Sequence, residues 1–160
     1  MTPTVGIDPG LDGALCLLDG EAVRVIDMPT VELKVGGKRK RELDLAQLRH
    51  ILLTMRGHIW LEQATAMPGQ GVTSMFRYGQ TYGAIRGLIA GLQLPCTQVH
   101  PATWKRALRM PKGKDAARAR ASELLPSAAG SWPLKKHDGR AEACLIALYG
   151  QGEMVRESAA

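Results

Sequence analysis

Four acidic residues stand where metal-assisted phosphodiester chemistry would want carboxylates: Asp8, Glu62, Asp138 and Glu142. Asp8 follows the apolar run Val5-Gly6-Ile7 and precedes Pro9-Gly10; Glu62 closes the run Ile59-Trp60-Leu61. Asp138 and Glu142 lie four apart at the start of an apolar helical stretch, a spacing that places both on one helix face. Carboxylates at strand ends and a helix start can converge although they are distant in sequence. Such a cluster repels itself and loses hydration, so it persists best around divalent cations. Two hard cations held in this way can activate water and stabilise the leaving oxygen of a phosphodiester. Each acid also has a plainer reading: Asp8 can start a turn and Asp138 can cap a helix. Glu142, between Ala141 and Ala143 in a helix interior, is harder to explain without a role, because a carboxylate facing a core is costly.

The elements that must position these acids read as strands first and helices after. Thr4 to Asp8, Ala14 to Leu18 and Glu21 to Met28 form a predicted antiparallel meander, with Asp19-Gly20 as a turn signal. Residues 34–41 read as a basic loop or hairpin around Gly36-Gly37. Asp44 to Met55 has helical spacing, with Leu45, Leu48, Ile51 and Leu52 on one face. Ile59 to Glu62 is a buried strand. Ala66 to Gln80 is a glycine-rich loop entering a helix that runs on to Leu92. Pro95 to His100 is a further strand, Pro101 to Met110 and Asp115 to Leu125 are helices, and 126–136 is a linker. Gly139 to Tyr149 is the last helix, and a polar tail frays from Gly150. The expectation is one α/β domain over 1–150, a mixed sheet of three antiparallel strands plus parallel strands flanked by helices, with a flexible tail at 151–160.

Bulk properties narrow the function classes. A chain of 160 residues supports one domain with a real core. The net charge of +6 and pI near 9.5 favour a polyanionic partner, although a basic protein without one has the same charge. No apolar run reaches the roughly 20 residues that span a bilayer, and no secretory signal is visible, so no membrane partner and a cytoplasmic location are expected. Cys16, Cys96 and Cys144 show no paired spacing; Cys16 and Cys144 read as buried thiols of a reducing compartment.

The stretches "GIDPGLDGAL", "LEQ", "YGQTYGAIRGLIAG", "VHPATWKRAL", "GKDAARARASELL" and "HDGRAEACLIALYG" resemble, in order and spacing, RuvC-type Holliday-junction resolvases of the RNase H-like superfamily. The resemblance extends from residue 5 to 150; "PGQGVTSMFRYG" and "HDGRAEA" are similar to the small phage and prophage branch. It implies a metal-dependent, structure-selective DNA endonuclease acting on four-way junctions. It further implies two Mg²⁺ ions per site, replaceable by Mn²⁺, and a homodimer. Asp8 would bridge the ions, Glu62 at the end of the central strand would bind them directly or act from behind a direct ligand, and Asp138 and Glu142 would be the acidic pair of the last helix. His137 would bind metal or move protons. In the bacterial pattern the two last-helix carboxylates lie three apart, so the spacing of four here leaves open which of His137, Asp138 and Glu142 reach the ions.

Basic residues are the expected DNA contacts. Lys34, Lys38, Arg39, Lys40 and Arg41 form the densest cluster, which can track phosphates or be a solvated charge run. Lys105 and Lys114 match in context the lysines that family members place near the active site, and Lys112, Arg118 and Arg120 extend that surface. Arg77 and Tyr78 follow the loop that would approach a junction centre. Bacterial members carry an aromatic wedge a few residues after the Glu-Gln pair; here that position is near Thr65, so the wedge is missing or replaced by Met75, Phe76 or Tyr78. Three other functions compete with this one. The Asp-Pro-Gly turn also resembles the opening of actin-like sugar kinases and chaperone ATPases, which need two lobes and a longer chain. A nuclease of another specificity on the same fold and a non-catalytic junction-binding module are the others.

Overall fold

A computed structural model describes residues 2–160. Strands β1 (Thr4–Asp8), β2 (Ala14–Asp19) and β3 (Ala22–Asp27) form the antiparallel meander. β4 (Thr30–Val35) and β5 (Lys38–Leu43) make a separate two-stranded sheet, and helix α1 spans Leu45–Thr54. β6 (His58–Glu62), α2 (Val72–Gly91), β7 (Cys96–Val99), α3 (Pro101–Ala107) and α4 (Ala116–Leu124) follow. Two 3₁₀ turns, Pro126–Ser131 and Lys135–His137, lead into α5 (Asp138–Ser158). The main sheet runs β3-β2-β1-β6-β7, with β6 parallel to both β1 and β7. The predicted mixed α/β architecture is thus the one the chain adopts.

Alternation along the strands sorts residues into two cores. Val5, Ile7, Leu15, Ile59 and Leu61 point to a core shared with Leu48, Ile51 and Leu52 of α1 and with Ile85 and Ile89 of α2. Ala14, Cys16, Leu18 and Trp60 point to the other face, against Ala143, Cys144 and Ala147 of α5, Trp104 of α3 and Ala121 of α4. Both Cys16 and Cys144 are buried free thiols. The α5 crossing is close enough to exclude side chains from its path. A Cβ on Gly6 of β1 would lie 2.0 Å from the Ala143 carbonyl oxygen, and one on Gly150 would lie 2.2 Å from the Trp60 ring.

The element boundaries depart from expectation in three places. The last helix does not stop at Tyr149; it runs to Ser158, because Gly150 lets it pass over Trp60 and Met154 still packs on the core. Helix α2 begins at Val72 rather than near Gln80, so much of the glycine-rich stretch is helical. The 126–136 segment is not a bare linker: Trp132 is buried and its indole N–H donates to Ser122 Oγ at 2.9 Å. The basic segment takes the hairpin form of the two expected, with Lys34 on β4 and Lys38, Arg39, Lys40 and Arg41 on β5. Gly36 and Gly37 both have positive φ, 58° and 76°, which a tight two-residue turn between twisted strands requires.

The close crossing makes a direct prediction. Gly6→Ala should destabilise the fold by more than the roughly 1–3 kcal/mol of ordinary core overpacking, because the clash is with backbone. Gly83→Ala on α2, where a Cβ meets nothing within 4 Å, should be neutral or stabilise by up to about 1 kcal/mol. Urea unfolding of the two variants checks the contrast.

Candidate active site

Sheet register explains how two distant acids meet. In the parallel β1–β6 ladder Ile7 pairs with Leu61, so the next residues, Asp8 and Glu62, leave adjacent strands side by side. Both have the parity of Gly6 and Trp60, which places their side chains on the α5 face. Glu142 comes down from the first turns of α5 onto the same edge. That helix start is clamped: Arg140 donates from Nε and Nη2 to the two Asp27 carboxylate oxygens, both at 2.6 Å, and from Nη1 to the Ser131 carbonyl. The guanidinium holds the Asp27 carboxyl below its usual range.

The electrostatics show three carboxylates under mutual strain. The Asp8 carboxyl is pushed up to about 8, first by burial, then by the charges of Glu142 and Glu62. The Gly10 amide, which donates to Asp8 Oδ1 at 3.3 Å, and the Lys105 ammonium pull it the other way. Glu62 is raised by burial and by Glu142, against the stabilising Trp104 indole, which donates to its Oε2 at 2.7 Å. Lys105 on α3 lies with its Nζ 3.2 Å from Glu142 Oε1 and 5.1 Å from the Trp104 ring centroid. Its charge also reaches Asp8 and Glu62, so one lysine balances the group. Tyr78 of α2 stands in the same field: burial first, then Asp8 and Glu62, push its phenol up to about 12, so it remains a hydrogen-bond donor.

Asp138 and His137 are turned elsewhere. Asp138 Oδ1 accepts from Arg118 Nε at 2.8 Å, and Arg118 also pairs with Asp115. Asp138 is the first residue of α5 and His137 is the N-cap, so the capping alternative for Asp138 is not met; its carboxylate accepts from Arg118 instead. The His137 ring accepts from the Leu134 amide at 3.3 Å, and its ionisation is lowered by burial and by Arg140 and Lys136. The position three before Glu142 is Gly139, where a Cβ would lie 3.1 Å from Asp8 Oδ2 and 2.4 Å from the Asp12 carbonyl oxygen. The helix position that faces Asp8 therefore has no side chain. A count back of three from Glu142 would have found it in the sequence. Trp104, which orients Glu62, gave no signal beyond being an aromatic in a short helix.

Among the described residues, no three His, Cys, Asp or Glu side chains lie close enough together to ring a metal ion. The donor set nevertheless suits a hard divalent cation: it is all oxygen, and the proton affinity of Asp8 and Glu62 is raised by burial and neighbouring charge, a penalty that a cation of higher charge than Lys105 would relieve.

The basic residues divide in two. On β5, Arg39 pairs with Glu32 at 3.6 Å, Lys40 with Glu42 at 2.6 Å and Arg41 with Asp12 at 2.5 Å. The last of these ties the hairpin to the loop after Asp8. Lys38 is exposed at the hairpin tip. Lys40, Arg41 and Arg77 together line a cleft of about 250 Å³ between β5 and α2, a convergence the sequence did not show. Lys112 and Lys114 are exposed on the loop between α3 and α4, and no described helix is long and apolar enough to cross a membrane.

Sheet order, helix placement and the acidic edge define a RuvC/RNase H-like α/β fold. The chain is similar in structure to Thermus thermophilus RuvC in complex with a Holliday junction substrate, with a TM-score of 0.62, 15% identity and 96% of each chain covered. It is also similar to a second structure of Thermus thermophilus RuvC, at 0.60 and 16% over 94% of this chain and 96% of that one. The yeast mitochondrial Holliday junction resolvase Ydc2 follows, at 0.54 and 16% over 91% of this chain and 76% of that one. No sequence family model matches the chain, and no curated protein matches it by sequence.

Asp8 supplies a test of the site that needs no substrate. Its folded-state pKa is raised, so its contribution to stability is fully present below pH 3.8 and is lost as pH rises through about 8. Asp8→Asn should therefore stabilise the metal-free protein at pH 8 by at least about 1 kcal/mol and do little near pH 4. Mg²⁺ should raise the melting temperature of the wild type and not of the variant. Thermal melts at the two pH values, with and without Mg²⁺, check both.

Proposed function

We propose that this chain is a divalent-metal-dependent endonuclease that cuts branched DNA, with the four-way junction as preferred substrate. The observation that carries the proposal is the placement of Asp8 and Glu62 on adjacent strand ends beneath Glu142, within a fold matched over 96% of the chain by a junction-bound resolvase. Asp8, Glu62 and Glu142 would hold the metal; the assignment of Asp138 and His137 as further ligands rests on their sequence position. Bound Mg²⁺ or Mn²⁺ supplies an activated water and stabilisation of the departing 3′-oxygen. The protein's own part is positional. Trp104 fixes the Glu62 carboxylate, the Arg140–Asp27 clamp fixes the height of Glu142, and Lys105 offers a cation to the scissile phosphate. The Tyr78 phenol offers a donor at the same edge. Symmetric cutting of a four-way junction requires two such sites, hence a homodimer.

Incubation with Mg²⁺ and four-way, branched and linear DNA side by side tests the reading. Cleavage should be greatest on the four-way junction, vanish in chelator and return with Mn²⁺. Asp8→Asn and Glu142→Gln should each lower the rate at least about 100-fold while junction binding persists, because an amide is a poor ligand for a hard cation. Undiminished cutting by pure Asp8→Asn protein would overturn the site.

The hairpin and its cleft make a separate prediction. Replacing Lys38, Arg39, Lys40 and Arg41 with Gln should weaken junction binding and flatten its salt dependence, by about 0.9 in log–log slope for each phosphate that is no longer neutralised. The weakening should be alike for different DNA sequences. Since three of the four side chains already have acidic partners, the fall in slope should be smaller than four phosphates would give. Superimposable titrations would leave the hairpin without a DNA role.

A further inference from the structure

We propose that the open edge of strand β4 pairs antiparallel with β4 of a second copy of this chain, about a twofold axis at Leu33. The nuclease reading requires two sites without saying where two copies meet. The surface named here is carried by the strand itself and does not depend on that reading.

β4 differs from every strand of the main sheet. Its one strand neighbour is β5, and its side chains from Val31 to Val35 are all exposed. Val31, Leu33 and Val35 alternate onto one face and make an apolar row, 39%, 39% and 57% exposed. These are residue types of a covered strand with nothing over them. A two-stranded hairpin alone is marginally stable in water, and added strands are what secure it.

Backbone parity fixes what the edge offers. The two-residue turn at Gly36-Gly37 makes Val35 and Lys38 a hydrogen-bonded pair. Alternation then turns the N–H and C=O of Val31, Leu33 and Val35 toward β5, and those of Glu32 and Lys34 outward. Among the described residues no backbone group answers them. An incoming strand must therefore set its own outward residues opposite Glu32 and Lys34.

Charge selects the strand and its register. A second β4 meets the parity condition when the axis falls on Glu32, Leu33 or Lys34. The first and last of these set like charges against each other. The axis at Leu33 sets Glu32 against Lys34 twice, Val31 against Val35 twice, and Leu33 against its own copy. Opposite-charge and apolar cross-strand pairs each stabilise a sheet by about 0.2–1 kcal/mol. An edge of one sign repels its own copy, which keeps exposed strands single; this edge matches itself. The two apolar rows become continuous in a sheet ordered β5-β4-β4-β5. The basic arm of each copy stays on an outer strand, free to meet a polyanion.

A cysteine scan tests the axis. It uses the full chain carrying Cys96→Ser, whose remaining thiols, Cys16 and Cys144, are buried. The axis makes Leu33 and its copy a non-hydrogen-bonded pair with Cα atoms about 4.5 Å apart, within disulfide reach. Glu32 is displaced from its own copy by two residues, roughly 8 Å, and Val35 by four, both beyond reach. In oxidised glutathione and without DNA, Leu33→Cys should give a disulfide-linked dimer, and Glu32→Cys and Val35→Cys at least about tenfold less of one. Charge variants test the register. Lys34→Glu and Glu32→Lys should each weaken self-association in sedimentation about 2- to 30-fold, the worth of two like-charge cross-strand pairs. Mixed together, the two variants should associate again, because each supplies the charge the other lacks. Lys34→Glu also sets an opposite charge against Arg39 within the hairpin, so hairpin unfolding does not mimic its effect.

Equal linkage at all three cysteines would mean chance collision and would overturn the axis. Absence of linkage at Leu33→Cys would overturn the pairing; shielding of that free thiol from maleimide by junction DNA would then assign the edge to nucleic acid. Self-association insensitive to both charge changes would place the second copy elsewhere and overturn it too. If wild type cuts junctions while any of these results is found, only the edge assignment falls. If Leu33→Cys links selectively and wild type does not cut, the edge stands and the nuclease reading falls.

Discussion

The crossing of α5 over β1 is the contact from which the rest of the site follows. Gly6 and Gly150 let the helix backbone approach the sheet, and the buried Thr4 hydroxyl donates to the Ala147 carbonyl at 3.1 Å. At that separation the small residues Ala143 and Ala147 are the ones that fit beneath the helix. The low aromatic content of the chain, 4%, is consistent with this packing, since close backbone contact leaves little room for rings. Where the crossing reaches the sheet edge, the same closeness brings Glu142 toward two carboxylates that strand parity has already aligned.

That alignment has an energetic cost which the surrounding residues partly offset. Burial and mutual repulsion raise Asp8 and Glu62, and the opposing influences come from one indole, one backbone amide and one lysine. Lys105 is the cation that acts on both acids, and it leans on the Trp104 ring that also holds Glu62. Short helix α3 is thus a single device with two adjacent contacts, one neutral donor to Glu62 and one charge to Glu142. A substitution in α3 that turns this pair would alter both acids together.

Much of this was legible in the sequence, and the reasons differ by residue. The three meander strands, the buried strand ending at Glu62 and the helix over 44–55 follow from alternation and helical spacing, both local rules; the structure adds Asp44 as the cap of that helix, accepting from the Gln47 amide at 2.9 Å. The placement of Asp8 and Glu62 at strand ends was also readable, because each acid closes an apolar run. The extension of α5 past Gly150 was not readable, since glycine normally weakens a helix and here it is required by the Trp60 ring. The engagement of Asp138 by Arg118 was equally hidden: it depends on α4 packing beside α5, a tertiary fact with no local trace. Arg77 meeting the hairpin depends on α2 beginning at Val72, which its glycines obscured.

The Thr4–Ala147 hydrogen bond joins residues 143 positions apart, and the strand it finishes is the first of the fold. During synthesis the amino-terminal meander must therefore wait, one face uncovered, until the carboxy-terminal helix has emerged. Contacts of such sequence separation form slowly and together. The three carboxylates belong to β1, β6 and α5, so the repulsion of Glu142 against Asp8 and Glu62 is added only when the last helix docks. A nascent chain that has not yet exposed α5 would hold a partial sheet without Glu142 beside Asp8 and Glu62, which ties the appearance of the site to the docking of that helix.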